Sequence, residues 1–419
     1  MSLALAKGRS ARFLFALPIA LLAMGSIDLS ADTNLDDTLS REERQKIDLS
    51  NYRVTDTNAS YFGVKARMAL LEQTDSTILL QLSDKLSMGP SCRQKINSEP
   101  ITTRGAIPGF YPRRTAWELA TGPLFDFEDS VSNLAGSFVA SGDIYYAECL
   151  VHYLYRWAEA GALTDFVYDT AQPQAWFASE SMLFAAAMAY SIVRPFIDGL
   201  EEERADIEQW LQGLALQHSA VPGPPQDSCC NNHLYRRALY ATMIGVLVED
   251  NDLFRFGVSA IYSALHDMTE EGALPLEMSR GRRATHYQNY ALNYLITNMQ
   301  VIHRQGYDIF NLEYEDSNIH EGVDYLFQIL DDPAALGDYA PQEQYTGFLR
   351  DPQYFTWMEI YLSHFDHQRM ASLITRARPT YSRSAGGHVT LYFMDPDAQE
   401  HIYTDERRQE TEAFRGLSN

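Results

Sequence analysis

The sequence predicts an all-α fold, a succession of helical hairpins closing into an (α/α) toroid or incomplete barrel, and three observations predict it. Apolar residues recur with a helical period almost throughout from residue 144 onward. Short turn signals cut that pattern into pieces of helix length. Strand-like alternation is nearly absent, with "GGHVTLYF" at 386–393 as the one stretch that reads as a strand. Hairpins wrapped in a ring leave a concave face, a long groove whose shape suits a polymer chain better than a small metabolite.

The elements follow in order. Lys7, Arg9 and Arg12 precede "FLFALPIALLAMG", an apolar run too short to anchor in a membrane, so residues 1–25 read as a signal peptide and the protein as periplasmic or secreted. The expected cleavage is near Gly25, with "LSAD" as a second place for it. Residues 26–60 are polar and acidic, with few apolar residues to hold them. A single helical domain then spans 61–419. Within it, 88–131 is rich in Gly, Pro and Arg ("GAIPGFYPRRTAW") and reads as a long loop. Helices are expected at 144–160, 177–194, 203–217, 233–249, 252–268, 284–304, 319–330 and 354–373. Between them stand "AGAL", "VPGPPQDS", "EDND", "EEGALP", "RQGYD" and "DDPAALGD". No further long apolar stretch is evident, so no membrane partner is expected.

Charge and cysteines narrow the partners. The formal net charge is −23 and becomes −26 once the three leader cations are lost, which argues against nucleic acid. Against that acidity three basic pairs or clusters stand out, at 113–114, 236–237 and 280–283. The 4 cysteines of an exported chain favour disulfides, and of the three pairings Cys92–Cys149 with Cys229–Cys230 is expected; the alternative is buried thiols. There is no CxxC and no HExxH, so neither a metal nor a cofactor is implied.

Two stretches carry the chemistry. In "CCNNHLYRRAL" Asn232 reads as the N-cap of a helix running to Val248, which puts His233 in the first turn, where backbone N–H groups favour an anion. Arg236, Arg237 and Tyr240 follow at helical spacing. The plainer reading is a capping Asn beside a structural His. In "LPLEMSRGRRATHYQNYAL" Arg280 and Tyr287 lie two helical turns apart, and Tyr290 and Tyr294 continue the stripe. An aromatic stripe is usually core, but neighbouring arginines stabilise a phenolate and lower its pKa. Asn, His, Arg and Tyr without a metal or a carboxylate pair suit β-elimination next to a uronic acid. Asn, His and Arg hold the carboxylate as C5 becomes acidic, and Tyr moves the proton from C5 to the leaving O4.

"NNH" before a helix, followed some forty residues later by "LPLE…R…Y.NYAL", resembles the mannuronate-specific alginate lyases of polysaccharide lyase family 5. "WMEIY" (357–361) and "GGHVT" (386–390) fall where that family has similar pieces, so the likeness covers roughly 88–392. The resemblance implies an (α/α) toroid without a metal, a lyase acting on anionic uronate polysaccharide and giving unsaturated oligosaccharides. It implies that Asn232, His233 and Arg280 bind and neutralise the carboxylate. Tyr287 becomes base and acid at mannuronate, and His233 the opposite-face base where guluronate is accepted. The family's mobile lid falls at about 93–131. That makes Tyr111 a closing residue, with Arg113 and Arg114 as partners. Arg237 and Tyr290 join the substrate-binding set. Trp176 and Trp357 are candidate stacking platforms for sugar rings, with core packing as their alternative. The chain departs from the family in its lid and at Asn133, where a basic residue is expected ahead of "SGD".

Three other readings compete with polymannuronate. They are a lyase for glucuronan or mixed uronates, a non-catalytic uronate-binding protein, and a hydrolase using Glu277 and Glu359. The presence of a Tyr base argues against a pure binder. A monomer is the expected form. The cysteine pair is expected to stiffen the turn that presents Asn232 and His233.

Overall fold

A computed structural model of the chain describes residues 38–169, 173–220 and 229–398. The signal peptide, the first part of the polar segment and the "VPGPPQDS" turn lie outside the described residues. Among those described, the structure is helical apart from one two-stranded hairpin, β1 (Glu313–Tyr314) with β2 (Ser317–Asn318), and the successive hairpins form an (α/α) toroid.

Polar contacts hold the described part of the N-terminal segment together with apolar ones, Leu49 being buried in the core with Ile47, Tyr52 and Val54 packed against it. Ser40 and Glu43 form a capping box on α1 (Arg41–Arg44), and Arg44 reaches Asp267 at 2.5 Å. Farther on, the Gln305 side chain accepts from the N–H groups of Thr55 (2.8 Å) and Asp56 (2.9 Å) and donates to the Asp56 carbonyl (2.9 Å). Helices α2 (Val64–Leu71), α3 (Thr77–Ser87) and α4 (Cys92–Ile96) follow.

The loop expected at 88–131 is shorter than its composition implies, because α5 runs from Arg114 to Ser141. Gly122 and Pro123 read as breakers. Proline removes one intrahelical N–H, yet Phe127, Val131, Leu134 and Phe138 bury one face of the helix and outweigh that loss. The helix stops at Gly142, which takes φ +69° and donates to Phe138 O at 2.8 Å, a left-handed cap. Asp143 then caps α6 (Ile144–Glu159). A Cys92–Cys149 disulfide ties α4 to α6.

Helix α7 (Pro173–Val193) is apolar on all sides and long enough, by length and composition, to cross a membrane, a feature that the sequence reading passed over. Its apolar window is 83% buried inside the protein, where it packs against α5 and α9 as the central core helix. Next come α8 (Glu201–Ser219), α9 (Asn232–Val248) and α10 (Asn251–Asp267), with Asp250 capping the last. The α9–α10 hairpin closes tightly at Gly257. A Cβ there would stand 1.6 Å from Thr242 Oγ1, so only glycine fits.

A short turn α11 (Pro275–Met278) leads to α12 (Ala284–His303), whose buried amides bond its neighbours. Asn298 accepts from Thr242 Oγ1 at 2.6 Å and donates to Gly257 O at 2.9 Å. Asn318 and Glu321 form a capping box on α13 (Ile319–Asp331). The helix expected at 354–373 is two, α14 (Thr356–Leu362) and α15 (Gln368–Ala377), because His367 Nδ1 accepts from Met370 N–H and starts a new cap. The strand expected at 386–393 is a turn and a helix. Gly386 and Gly387, at φ +84° and +103°, reverse the chain, and α16 (Val389–Phe393) packs against α14. Arg67 caps that helix through the carbonyls of Leu391 (2.5 Å) and Met394 (2.8 Å).

Candidate active site

The site grows from the first turns of α9 and α12. Asn231, not Asn232, is the N-cap of α9, its side-chain oxygen accepting from His233 N–H at 3.0 Å. Asn232 is therefore the first helical residue. Its backbone N–H and side-chain amide donate to the two oxygens of Glu277, at 2.6 and 2.9 Å. Burial pushes Glu277 up to about 7, while Asn232 and Arg280 pull it down. Cys229 and Cys230 are joined to each other, and the pair packs on Leu276 beside Glu277. The start of α9 is thus fastened to α11, and Arg280 follows three residues after Glu277.

His233 is partly exposed. Its ring stacks on Phe177 (centroids 4.2 Å, planes at 26°), and its Nδ1 lies 3.5 Å from Glu180 Oε2, an ion-pair distance too long for a good hydrogen bond. Burial lowers the His233 pKa more than Glu180 raises it, so the imidazole is neutral. Glu180 is fully buried on α7. Desolvation acts to raise its pKa, but His233, Arg237 and Arg236 outweigh it and hold the carboxylate below its ordinary value.

One turn beyond His233, Arg236 binds the face of α12. It donates to Tyr290 Oη at 2.6 Å, Tyr294 Oη at 3.1 Å and Phe177 O at 3.1 Å. Tyr290 in turn lies one turn beyond Tyr287, their rings edge to face at 6.2 Å. The two first turns are cross-linked by these contacts. On the Tyr287 side, Arg280 lies over the phenol ring, 4.0 Å from its centre, and Tyr111 reaches in from the loop to place its hydroxyl 2.7 Å from that of Tyr287. Arg283 covers the Tyr111 ring at 3.8 Å.

The electrostatics of Tyr287 differ from the sequence expectation. Arg280 does lower its pKa, but burial raises it more, and Tyr111 and Tyr290 add to the rise, so the free protein holds a neutral phenol.

Several expected substrate contacts lie elsewhere. Trp176 is buried, with His218 stacked on its ring at 5.0 Å and Arg237 over it at 5.2 Å. Trp357 is buried and donates to Asn289 Oδ1 at 3.1 Å. Both are core, with no exposed surface left for a sugar ring. Arg237 is buried too and supports Glu180 at 3.4 Å and the Cys229 carbonyl at 3.5 Å, so it holds the site from behind. Arg113 and Arg114 are exposed at the start of α5, and Arg114 bonds Glu118 on its own helix at 2.9 Å. Tyr111 and Tyr290 keep exposed or half-buried positions beside Tyr287. Asn133 Oδ1 accepts from His388 Nε2 at 3.0 Å.

The carboxylates of the hydrolase alternative are both engaged. Glu277 holds Asn232, and Glu359 is buried in a two-bond pair with Arg378 (2.9 and 2.7 Å). Among the described residues, no group of three or more His, Cys, Asp or Glu side chains is placed to hold a metal ion. Sequence reasoning missed Glu180 and Phe177, and it singled out Arg283 only as part of the basic cluster at 280–283. Glu180 had a readable signal as the one charge in the apolar run "PQAWFASESMLFAAAMAYSIV".

With this geometry in view, the family model described as Alginate lyase matches residues 50–336. The chain belongs to the alginate lyase family. Among relatives of this alginate lyase family member, a polysaccharide lyase of Stenotrophomonas maltophilia is 29% identical over 273 residues, covering 65% of this chain and 79% of the relative. An alginate lyase of Pseudomonas aeruginosa is 26% identical, covering 64% and 74%. The solved structure of alginate lyase A1-III from Sphingomonas species A1 superposes with a TM-score of 0.74 at 28% identity, covering 83% of this chain and 98% of that one. A tyrosine-to-phenylalanine variant of alginate lyase A1-III, complexed with a tetrasaccharide, matches at TM-score 0.73 and 30% identity, covering 82% and 98%.

Proposed function

We propose that this protein is a polysaccharide lyase that cleaves alginate at mannuronate by β-elimination. The observation that carries the proposal is the Tyr287 hydroxyl, held neutral beside Arg280 and within one helical turn of the Tyr290–Arg236 link to the His233 helix. Asn232, His233 and Arg280 bind the uronate carboxylate and take up the charge that builds there as C5 loses its proton. Tyr111 marks the place that the sugar takes beside Tyr287.

A neutral phenol can move both protons. Its oxygen accepts the C5 proton while its own O–H proton passes to O4, so the C4–O4 bond breaks, C4=C5 forms, and Tyr287 ends as it began. Such a step needs no phenolate, which fits a hydroxyl whose pKa is raised. It requires C5–H and O4 on one face of the ring, the geometry of mannuronate. At guluronate the C5 proton lies on the other face, outside the reach of this step. We place the mature protein in the periplasm or outside the cell, on the strength of the basic and apolar leader.

The test is ultraviolet absorbance during digestion of polymannuronate, polyguluronate and glucuronan. Elimination makes a C4=C5 double bond conjugated to the carboxylate, and hydrolysis does not. Absorbance rising first and fastest on polymannuronate is the expected result. Chain shortening without absorbance, or a faster rise on glucuronan, would overturn the reaction or the substrate respectively.

A further inference from the structure

The His233 ring has one orientation. Phe177 lies against its face at 4.2 Å, and its Nδ1 edge points at Glu180 Oε2, 3.5 Å away. Glu180 is an ionised carboxylate with no exposure, and Oε2 has no hydrogen-bond partner. A neutral imidazole carries one N–H, and a bare nitrogen lone pair facing a carboxylate is repelled by it. The N–H therefore sits on Nδ1. Nε2, on the far edge of the ring from Glu180, is then a lone pair.

A lone pair cannot hold a uronate carboxylate. For His233 to bind one, Nε2 must gain a proton, and Glu180 is placed to support the resulting imidazolium from behind. Other charged groups set the balance. Arg236 and Arg237 on the same helix disfavour a positive ring, as does its burial. From α8, His218 faces Glu180; it is buried, stacked on Trp176 and kept neutral, so it adds no competing cation. Tyr240 lies near Glu180 as a neutral phenol. Glu277 of α11 is taken up by Asn232. In the free protein the sum leaves His233 neutral. A substrate carboxylate on the Nε2 side adds a second negative neighbour and tips it.

We infer that Glu180 is a positioning residue that fixes the Nδ1–H form of His233 and makes uronate binding take up a proton at Nε2. This rests on the lyase reading above and deepens it, assigning the carboxylate contact to an imidazolium formed on binding. The proton comes from solvent and returns there on product release, so no bond to the sugar is made or broken.

The test is calorimetry of mannuronate tetramer binding to the full chain carrying Tyr287→Phe, which does not consume the ligand, in two buffers of different ionisation heat near neutral pH. The difference between buffers reads net proton uptake. Uptake in the Tyr287→Phe protein, lost when either Glu180→Gln or His233→Ala is added, supports the proposal. The second addition removes a partly exposed ring and keeps the test decisive should the buried Glu180→Gln protein not fold. Binding without uptake, or uptake that persists after His233→Ala, overturns the proposal and leaves the lyase reading standing. Absence of binding to mannuronate, guluronate and glucuronate tetramers alike overturns both. A structural role for Glu180 alone would weaken binding and leave the proton count per bound oligomer unchanged.

Discussion

The hydroxyls of Tyr111 and Tyr287 lie 2.7 Å apart across 176 positions of sequence. One belongs to an exposed loop residue and the other to a buried helix, so the bond closes the loop over the site. On its other side the Tyr287 ring is covered by the Arg280 guanidinium, 4.0 Å from its centre.

Tyr287→Phe is expected to abolish turnover, by at least about 10²–10⁴, because the group that transfers both protons is gone. Fold and oligomer affinity should stay near wild type, since the ring and its contact with Arg280 remain. Tyr111→Phe removes one neutral hydrogen bond, about 1 kcal/mol, and should cost roughly tenfold or less. Steady-state kinetics on polymannuronate check both. Equal losses in the two variants would make the loop hydroxyl part of the chemistry.

His233→Ala and Arg280→Ala should each lower turnover by about 10²–10³, the scale for losing one electrostatic stabiliser. Short-oligomer affinity should fall less than turnover. If affinity carried the whole loss and turnover were unchanged, the residue concerned would serve binding alone.

A third expectation concerns Glu128 on α5, which is buried with neither carboxylate oxygen hydrogen-bonded. Arg383 Nε lies 3.6 Å away but is bonded to Asp129 at 2.8 Å. Burial pushes Glu128 up to about 8, above its ordinary 4.5. A raised carboxyl contributes stability that is fully present below the ordinary value and is lost as pH rises through the folded one. Glu128→Gln, which cannot ionise, should therefore gain on wild type as pH goes from about 5 to about 9, by up to about 4 kcal/mol. Urea melts at the two ends of that window measure it. A constant difference between the proteins would mean that Glu128 is not protonated in the folded chain.

Legibility in the sequence followed the period of the apolar residues. From Ile144 to Asp331 each expected helix appears within a few residues of its bounds, because runs of helix length are cut by clear turn and cap signals, and α6, α10 and α13 add an apolar face. Failures fell where a local signal and a distant contact disagreed. Gly122 and Pro123 read as loop, yet a buried face made them helix. The double glycine at 386–387 reads as part of a strand, yet its positive φ makes a turn. At the site, residue types named Asn232, His233, Arg280 and Tyr287. Which arginine bonds the α12 tyrosines and which lies closer to Glu180 was not legible. Arg236 and Arg237 are neighbours in sequence, and their environments come from α7 and α12. Trp176 and Trp357 failed for the same reason, since an aromatic side chain looks alike in a groove and in a core.

The last prediction concerns Cys229 and Cys230. Their bond lies one residue before the Asn231 cap, packs on Leu276, and receives Arg237 Nη2 on the Cys229 carbonyl. Replacing both with Ser cuts that packing and adds two hydroxyls to an apolar contact, but removes no group that touches the sugar. Global stability should change little through chain entropy, because a loop of adjacent residues barely restricts the unfolded state. Turnover should fall further than stability, since Asn232 and Glu277 hold their two bonds only while the start of α9 stays docked on α11. Thermal melts and kinetics on the same double variant separate the two effects. Mass spectrometry of the unreduced, proteolysed wild type should show the bond as a two-hydrogen deficit in the peptide that holds both cysteines. Two free thiols there, in protein recovered from an oxidising compartment, or a double variant that loses stability and keeps its activity, would remove the pair from the account of how Asn232 and His233 are held.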